Sequence, residues 1–234
     1  MMKAMILCAG YGKRLRPITK NCPKPLLEIG QETLLSNTLK FLIKFGIKEV
    51  VINTHYLADK IVEYINNNNK FNLSITIIRE KKEILDTGGG ILNAIKYFSN
   101  KPFLTINPDT IWRTEYLKEL KIMEKDLISK KKNCSILIVD KKKSFDKNFE
   151  GDFNLKDNLV NRDSKKKLKY IYTGLQIIRP NIFLDLDTKV FSINMVWNKL
   201  IKNDELYGFK SNLDFFHVNT LETYKKILKQ KLII

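Results

Sequence analysis

The strongest constraint in this sequence is the alternation, through its first half, of short β-branched runs with runs of helical apolar spacing. Lys3 to Ala9, Glu49 to Asn53, Leu73 to Ile78 and Pro102 to Asn107 read as strands. Between them, Leu34 to Phe45, Ala58 to Ile65 and Gly90 to Phe98 read as helices, and Gly46 stands where the first of these must stop. The asparagines from Asn66 to Asn69 favour a turn. Strands alternating with helices predict an α/β fold: a Rossmann-like, mixed but mostly parallel sheet flanked by helices.

Past Asn133 the rhythm changes. Cys134 to Val139, Phe149 to Leu155, Leu159 to Asn161 and Lys169 to Ile178 read as closely spaced strands with turns rich in lysine and asparagine. Ser192 to Lys202 reads as a helix, and Leu206 to Lys210 and Asp214 to Val218 as further strands. Thr220 is placed to cap a final helix from Leu221 to Lys229. No Pro-, Gly- or Ser-rich linker separates the halves. The expectation is one domain over residues 1–234, in two halves of about residues 1–132 and about 133–234.

Composition excludes several classes. At 44% hydrophobic and 29% charged, the chain is neither disordered nor membrane-spanning, and no apolar run is long enough for a span. The apolar start is broken almost at once by Gly10, Gly12, Lys13 and Arg14, so it reads as a buried strand rather than a leader. Three cysteines without metal-ligand spacing suit a reducing cytoplasm. The formal charge of +17 would favour an acidic partner. Much of that excess sits in the clusters Lys130–Lys132, Lys141–Lys143 and Lys165–Lys167, with no nucleic-acid-binding signature around them. They read as solvated loops and helix ends, and neither a nucleic-acid nor a membrane partner is expected.

The chemistry gathers where strands end. In open sheets, ligands sit outside the carboxyl ends of the strands, and Gly10, Asn107 and Asp109 all fall just past such ends. Ala9-Gly10-Tyr11-Gly12-Lys13-Arg14-Leu15-Arg16-Pro17 follows the first strand, and its glycines let backbone N–H groups approach a phosphate. The dinucleotide fingerprint requires a glycine where this chain has Leu15. The P-loop requires Ser or Thr where it has Arg14, so both patterns fail. What remains is a glycine loop carrying Lys13, Arg14 and Arg16. Shortly after it, Pro23 and Pro25 stiffen the chain around Lys24, which pre-organises one ammonium group.

Glycine loop, arginine, Pro17-Ile18-Thr19 and Pro23-Lys24-Pro25, in this order, resemble the signature of the sugar-1-phosphate nucleotidyltransferases. The resemblance continues nearly end to end. Leu85-Asp86-Thr87-Gly88-Gly89-Gly90 is similar to the family's base-recognition loop. Asn107-Pro108-Asp109 stands where the family has Asn-x-Asp, commonly with glycine in place of Pro108. Gly151-Asp152-Phe153 and Tyr172-Thr173-Gly174 resemble the segments that hold the sugar. Within the family the chain is most similar to the short bacterial N-acetylmuramate 1-phosphate uridylyltransferases.

The resemblance implies a nucleotide-diphospho-sugar transferase fold of the GT-A-like type, with a nucleoside triphosphate and a sugar 1-phosphate as partners, the nucleotide on the half of about residues 1–132 and the sugar on the half of about 133–234. It implies that Arg14 stabilises the triphosphate, Lys24 contacts the reacting phosphates and Asp109 binds Mg²⁺, with Mn²⁺ as the other candidate. Ala9, Gly10, Gly12, Lys13, Thr87, Gly88 and Gly89 would hold the nucleotide, and Asn107, Gly151, Asp152, Thr173 and Gly174 the sugar. Asp109 read alone could merely cap a helix, and its context favours metal binding. One departure matters. The family pattern Trp-x-Asp-x-Gly-Thr, whose Asp is the second metal ligand, is here Phe215-Phe216-His217-Val218-Asn219-Thr220. Imidazole is a poor ligand for Mg²⁺, so His217 is left between binding a softer metal, reaching Mg²⁺ through water, contacting a phosphate, and plain packing. Asp214 is three residues away along an expected strand and so belongs to the opposite face. His55, Trp112 and Trp197 read as structural, with Trp112 near the site. UTP is the expected donor, GTP with a mannose or heptose phosphate is the alternative, and a sugar-nucleotide sensor without turnover is the rival from another class. No motif speaks to oligomeric state.

Overall fold

A computed structural model describes residues 2–162, 167–184 and 186–230. Lys165 and Lys166, in the third lysine cluster, lie outside the described residues. In chain order the strands are β1 (Lys3–Cys8), β2 (Glu28–Ile29), β3 (Glu32–Thr33), β4 (Glu49–Thr54), β5 (Ser74–Arg79), β6 (Phe103–Ile106), β7 (Cys134–Asp140), β8 (Asn154–Lys156), β9 (Leu159–Asn161), β10 (Tyr170–Ile178) and β11 (Leu206–Ser211). The helices are α1 (Leu34–Phe45), α2 (Ala58–Asn67), α3 (Asp86–Ala94), α4 (Tyr116–Ser129), α5 (Ile193–Lys202) and α6 (Leu221–Lys229).

Nine strands form one sheet in the order β5-β4-β1-β6-β10-β7-β11-β9-β8. β5, β4, β1 and β6 run parallel, as do β7 and β11, while β10 is antiparallel to both of its neighbours. In the centre, Ile6 of β1 lies opposite Ile52 of β4 and Ile106 of β6. Alternate residues of β1 enter opposite cores. Ala4 and Ile6 pack with Leu39 of α1 and Leu120 of α4, whereas Met5 packs with Ile91 of α3 and Val196 of α5. Burial on both faces explains the near-continuous apolar reading of these strands. Thr33 caps α1 by accepting from Ser36 N, and Gly46 ends that helix in the left-handed conformation at φ 103°. Among the described residues no helix is long and apolar enough to cross a membrane.

Four elements differ from the sequence reading. α4 was assigned no element there, although Tyr116, Leu120, Met123 and Leu127 fall on one face and are buried. Its other face is crowded with lysine and glutamate, which hides the stripe. α3 begins at Asp86 rather than Gly90, so Gly88 and Gly89 are helical residues. The strand expected from Phe149 shrinks to β8, because Gly151 turns the backbone at φ 94° and both Asp152 N and Phe153 N donate to Tyr170 O. The strand expected at Asp214 to Val218 is only a pair of isolated bridges, Ser144 to Phe215 and Thr110 to His217.

Candidate active site

Leaving β1 the chain passes to β4 and β5 on one side, then returns through α3 to β6 on the other. The strand order therefore reverses between β1 and β6, and a crevice opens beyond their carboxyl ends. A cavity of about 370 Å³ lies there, bordered by Ala9, Gly10, Gly12 to Leu15, Lys24, Asn53, Asp86, Thr87, Asn107 to Asp109 and Asn219.

Short contacts fix the glycine loop. Gly12 has φ 62°, and a Cβ there would meet Thr19 Cγ2 at 3.1 Å. The Thr19 hydroxyl donates to Gly12 O at 2.9 Å, so the threonine of Pro17-Ile18-Thr19 braces the loop from behind. Lys24 sits in a single turn between its prolines, closed by Leu27 N donating to Lys24 O at 3.1 Å.

The ammonium of Lys24 is hydrogen-bonded to Asp109 Oδ2, and His217 Nε2 lies 3.1 Å from the same oxygen. Burial pushes the Asp109 carboxyl up, but the Lys24 charge and then the His217 ring outweigh it and hold the group well below the usual carboxylate range. Asp109 Oδ1 is buried and has no hydrogen-bond partner among the described residues. A free carboxylate oxygen beside a cavity fits a hard divalent cation. Among the described residues no group of three or more His, Cys, Asp and Glu side chains surrounds it, so most of such an ion's ligands would have to come from elsewhere. Asp214 pairs with Lys143 at 3.4 Å, while its backbone oxygen accepts from Tyr116 Oη.

The residues singled out in sequence divide into two groups. Ala9, Gly10, Gly12, Lys13, Arg14, Lys24, Thr87, Asn107 and Asp109 border the cavity. Gly88 and Gly89 do not. A Cβ on Gly88 would lie 2.4 Å from the Phe191 ring, and one on Gly89 would lie 2.1 Å from Lys189 O. On their Cβ side these glycines let α3 close against the 189–191 segment. Thr173 is buried, and its hydroxyl donates to Leu137 O. Gly174, at φ 92°, leaves room for Asn107, whose Cβ is 2.9 Å from the position a side chain would take. Asp152 accepts from Tyr172 N at 2.9 Å, and burial raises its carboxyl above the ordinary range. Gly151 packs on Leu168 O. None of these four borders the cavity. His217 has Nε2 3.1 Å from Asp109 Oδ2, and among the described residues its buried Nδ1 has no hydrogen-bond partner. Trp112 is buried, and its indole N–H donates to Asn107 O at 2.9 Å, so it supports the site from beneath.

Three residues escaped the sequence reading. Asn53 Oδ1 accepts from Cys8 N at 3.1 Å, and its amide nitrogen donates to buried Glu80 at 2.7 Å. Glu80 in turn accepts from Leu85 N, which ties the start of α3 to the ends of β1 and β4. Both sit at strand ends, a placement that could have marked them. Asn219, two residues beyond His217, also borders the cavity. A second cavity of about 510 Å³ adjoins the first through Arg14 and Asn219, between residues 145–150 and the start of α6.

The family model described as "Nucleotidyl transferase" matches residues 3–149. The N-acetylmuramate alpha-1-phosphate uridylyltransferase of Caulobacter vibrioides is 27% identical to this chain, over 92% of it and 90% of the relative. The D-glycero-alpha-D-manno-heptose 1-phosphate guanylyltransferase of Campylobacter jejuni is 32% identical, over 79% of each. Among solved structures, HddC from Yersinia pseudotuberculosis superposes with a TM-score of 0.78 at 25% identity, over 98% of this chain and 99% of its own.

Proposed function

Because the chain belongs to the nucleotidyl transferase family, its relatives acting on sugar 1-phosphates, we propose that it transfers a uridylyl group from UTP to N-acetylmuramate 1-phosphate and releases pyrophosphate. The observation that carries this reading is the pairing of Lys24 with Asp109 at the mouth of the glycine loop, inside the β1–β6 crevice.

The attacking oxygen belongs to a sugar phosphate and is already anionic, so the site needs no general base. Catalysis rests on positioning and on neutralising charge at the α-phosphorus. The glycine loop offers backbone N–H groups to the phosphates, and Arg14 takes the charge of the departing pyrophosphate. Lys24, held by its prolines, exchanges its Asp109 partner for phosphate oxygens when substrate enters. Asp109 is the residue to hold Mg²⁺ or Mn²⁺, whose contribution when bound is to neutralise charge on the triphosphate.

A second reading has its own support: the Campylobacter jejuni relative, named as a guanylyltransferase, favours GTP with a heptose or mannose 1-phosphate. A pyrophosphate-release screen of UTP, GTP, dTTP, CTP and ATP against a panel of sugar 1-phosphates, with Mg²⁺ or Mn²⁺, tests both. Release confined to UTP with N-acetylmuramate 1-phosphate is the expected result. Release confined to GTP selects the second reading. Nucleotide binding without release from any pair overturns both in favour of a sensor.

A further inference from the structure

We infer that the second cavity is the departure site of pyrophosphate, and that Lys147 and Lys226 receive the anion there as it leaves Arg14. The inference rests on the proposed nucleotidyl transfer and goes beyond it to the path of the second product.

The two cavities share Arg14 and Asn219, but Lys24 and Asp109 border only the first. In the proposed reaction an oxygen of the sugar phosphate bonds to the α-phosphorus while the bond from that phosphorus to the bridging oxygen breaks. The electron pair goes with the bridging oxygen, and pyrophosphate is the leaving group. In-line displacement places the incoming and departing oxygens on opposite sides of the α-phosphorus. Arg14 marks the departing side, so the space that opens beyond it lies in the path of the leaving group and not of the sugar. At about 510 Å³ that space is larger than the first cavity.

Its lining suits brief occupancy by an anion. One wall is the 145–150 segment with Lys147, and the other is the start of α6 with Lys226. Lys147 Nζ donates to Lys142 O at 2.9 Å, a neutral partner that leaves the charge uncompensated and further N–H groups for a ligand. Lys226 is held by Glu222 at 2.7 Å, an exposed ion pair within α6 that opens easily. Asp146 is already engaged, its oxygens accepting from Asn219 Nδ2 at 2.7 Å and from Asn148 N at 3.0 Å. With Glu150 counted, three carboxylates stand against Arg14, Lys147 and Lys226. A lining balanced in this way meets the anion with individual cations, yet has no net positive field to trap it. The cavity therefore holds pyrophosphate loosely, as release of a product requires.

The test follows nucleotide-sugar formation by chromatography, with whichever triphosphate and sugar phosphate turn over, while inorganic pyrophosphate is added as product inhibitor. Replacing both lysines, Lys147→Ala with Lys226→Ala, is expected to raise the pyrophosphate inhibition constant about tenfold, the scale of lost charge-assisted hydrogen bonds. KM for the triphosphate stays unchanged, because the lysines meet the anion only after it has left the nucleotide. Glu222→Gln frees Lys226 and lowers the inhibition constant, and this variant decides the matter if the double variant fails to fold. An inhibition constant unmoved in either variant, or a KM for the triphosphate that rises in step with it, overturns the inference while leaving the transferase reading intact. Absence of nucleotide-sugar formation by wild type from every pair overturns both.

Discussion

The two walls of the crevice are built on different principles. One consists of the loops that leave β1 and β6, where buried parallel strands deliver Gly10, Gly12, Asn107 and Asp109 to the cavity edge. The other brings His217 and Asn219 on a segment outside the named strands, held by isolated bridges and by backbone bonds to Asp109, Ile111 and Phe145. The first wall is positioned by local chain geometry, since each residue sits a fixed step past a strand end. The second is positioned by contacts between parts of the chain about a hundred residues apart, and its chemistry diverges from the related pattern in the same place.

The contrast can be broken at several points, the largest first. Lys24→Ala and Arg14→Ala each remove about 3–4 kcal/mol of transition-state stabilisation, roughly 10²–10³-fold in kcat/KM, as expected for a preorganised charge. Steady-state pyrophosphate release measures this, and near-normal turnover in both variants would remove the nucleotide wall from the chemistry. Lys24→Ala also tests electrostatics through stability. The Asp109 carboxyl lies below its unfolded value, so its contribution is present above that value and lost as pH falls through the folded one. The stability gap between wild type and Lys24→Ala is therefore constant near neutrality and narrows below about pH 4 in urea titrations.

Gly89→Ala comes next. Its Cβ would press on a backbone oxygen of Lys189, which cannot rotate away, so the cost is about 2–3 kcal/mol of stability. Thermal unfolding should shift down by roughly 4–12 °C on the scaling for a chain of this size. An unchanged melting temperature would show that α3 does not need the close approach. Thr220→Ala removes the cap of α6, where the hydroxyl accepts from Thr223 N at 3.1 Å, and costs about 1 kcal/mol in urea denaturation. Smallest of all, Lys142→Ala with Lys143→Ala changes stability by less than about 0.5 kcal/mol, because both are exposed surface charges. If turnover stays normal as well, that cluster is a solvated face and not a binding surface.

Most of the first wall was legible. A buried strand followed by glycines and cations, then a lysine between prolines, is a local pattern, and Gly10, Gly12, Lys13, Arg14 and Lys24 of it border the cavity, while Arg16 does not. Glycines without such a setting are ambiguous in sequence. Gly88 and Gly89 could serve a flat ligand or a protein neighbour, since both need the same missing side chain, and on that side they meet Phe191 and Lys189. Gly174 repeats the lesson, its open space being filled by Asn107. α4 was missed because its apolar stripe is narrow and its exposed face is dense with charge.

The sequence by itself determined the parallel α/β sheet and the placement of phosphate-facing groups past β1 and β6, because hydrophobic period and strand ends are local properties of the chain. Only the tertiary structure decided that His217 turns to Asp109, that Asn219 joins it with an unpaired oxygen, and that Glu80 and Asn53 tie down the start of α3. Those outcomes depend on which distant backbone lies alongside which, and on the need of each buried polar atom for a partner. Neither is written in the spacing of residues along one strand.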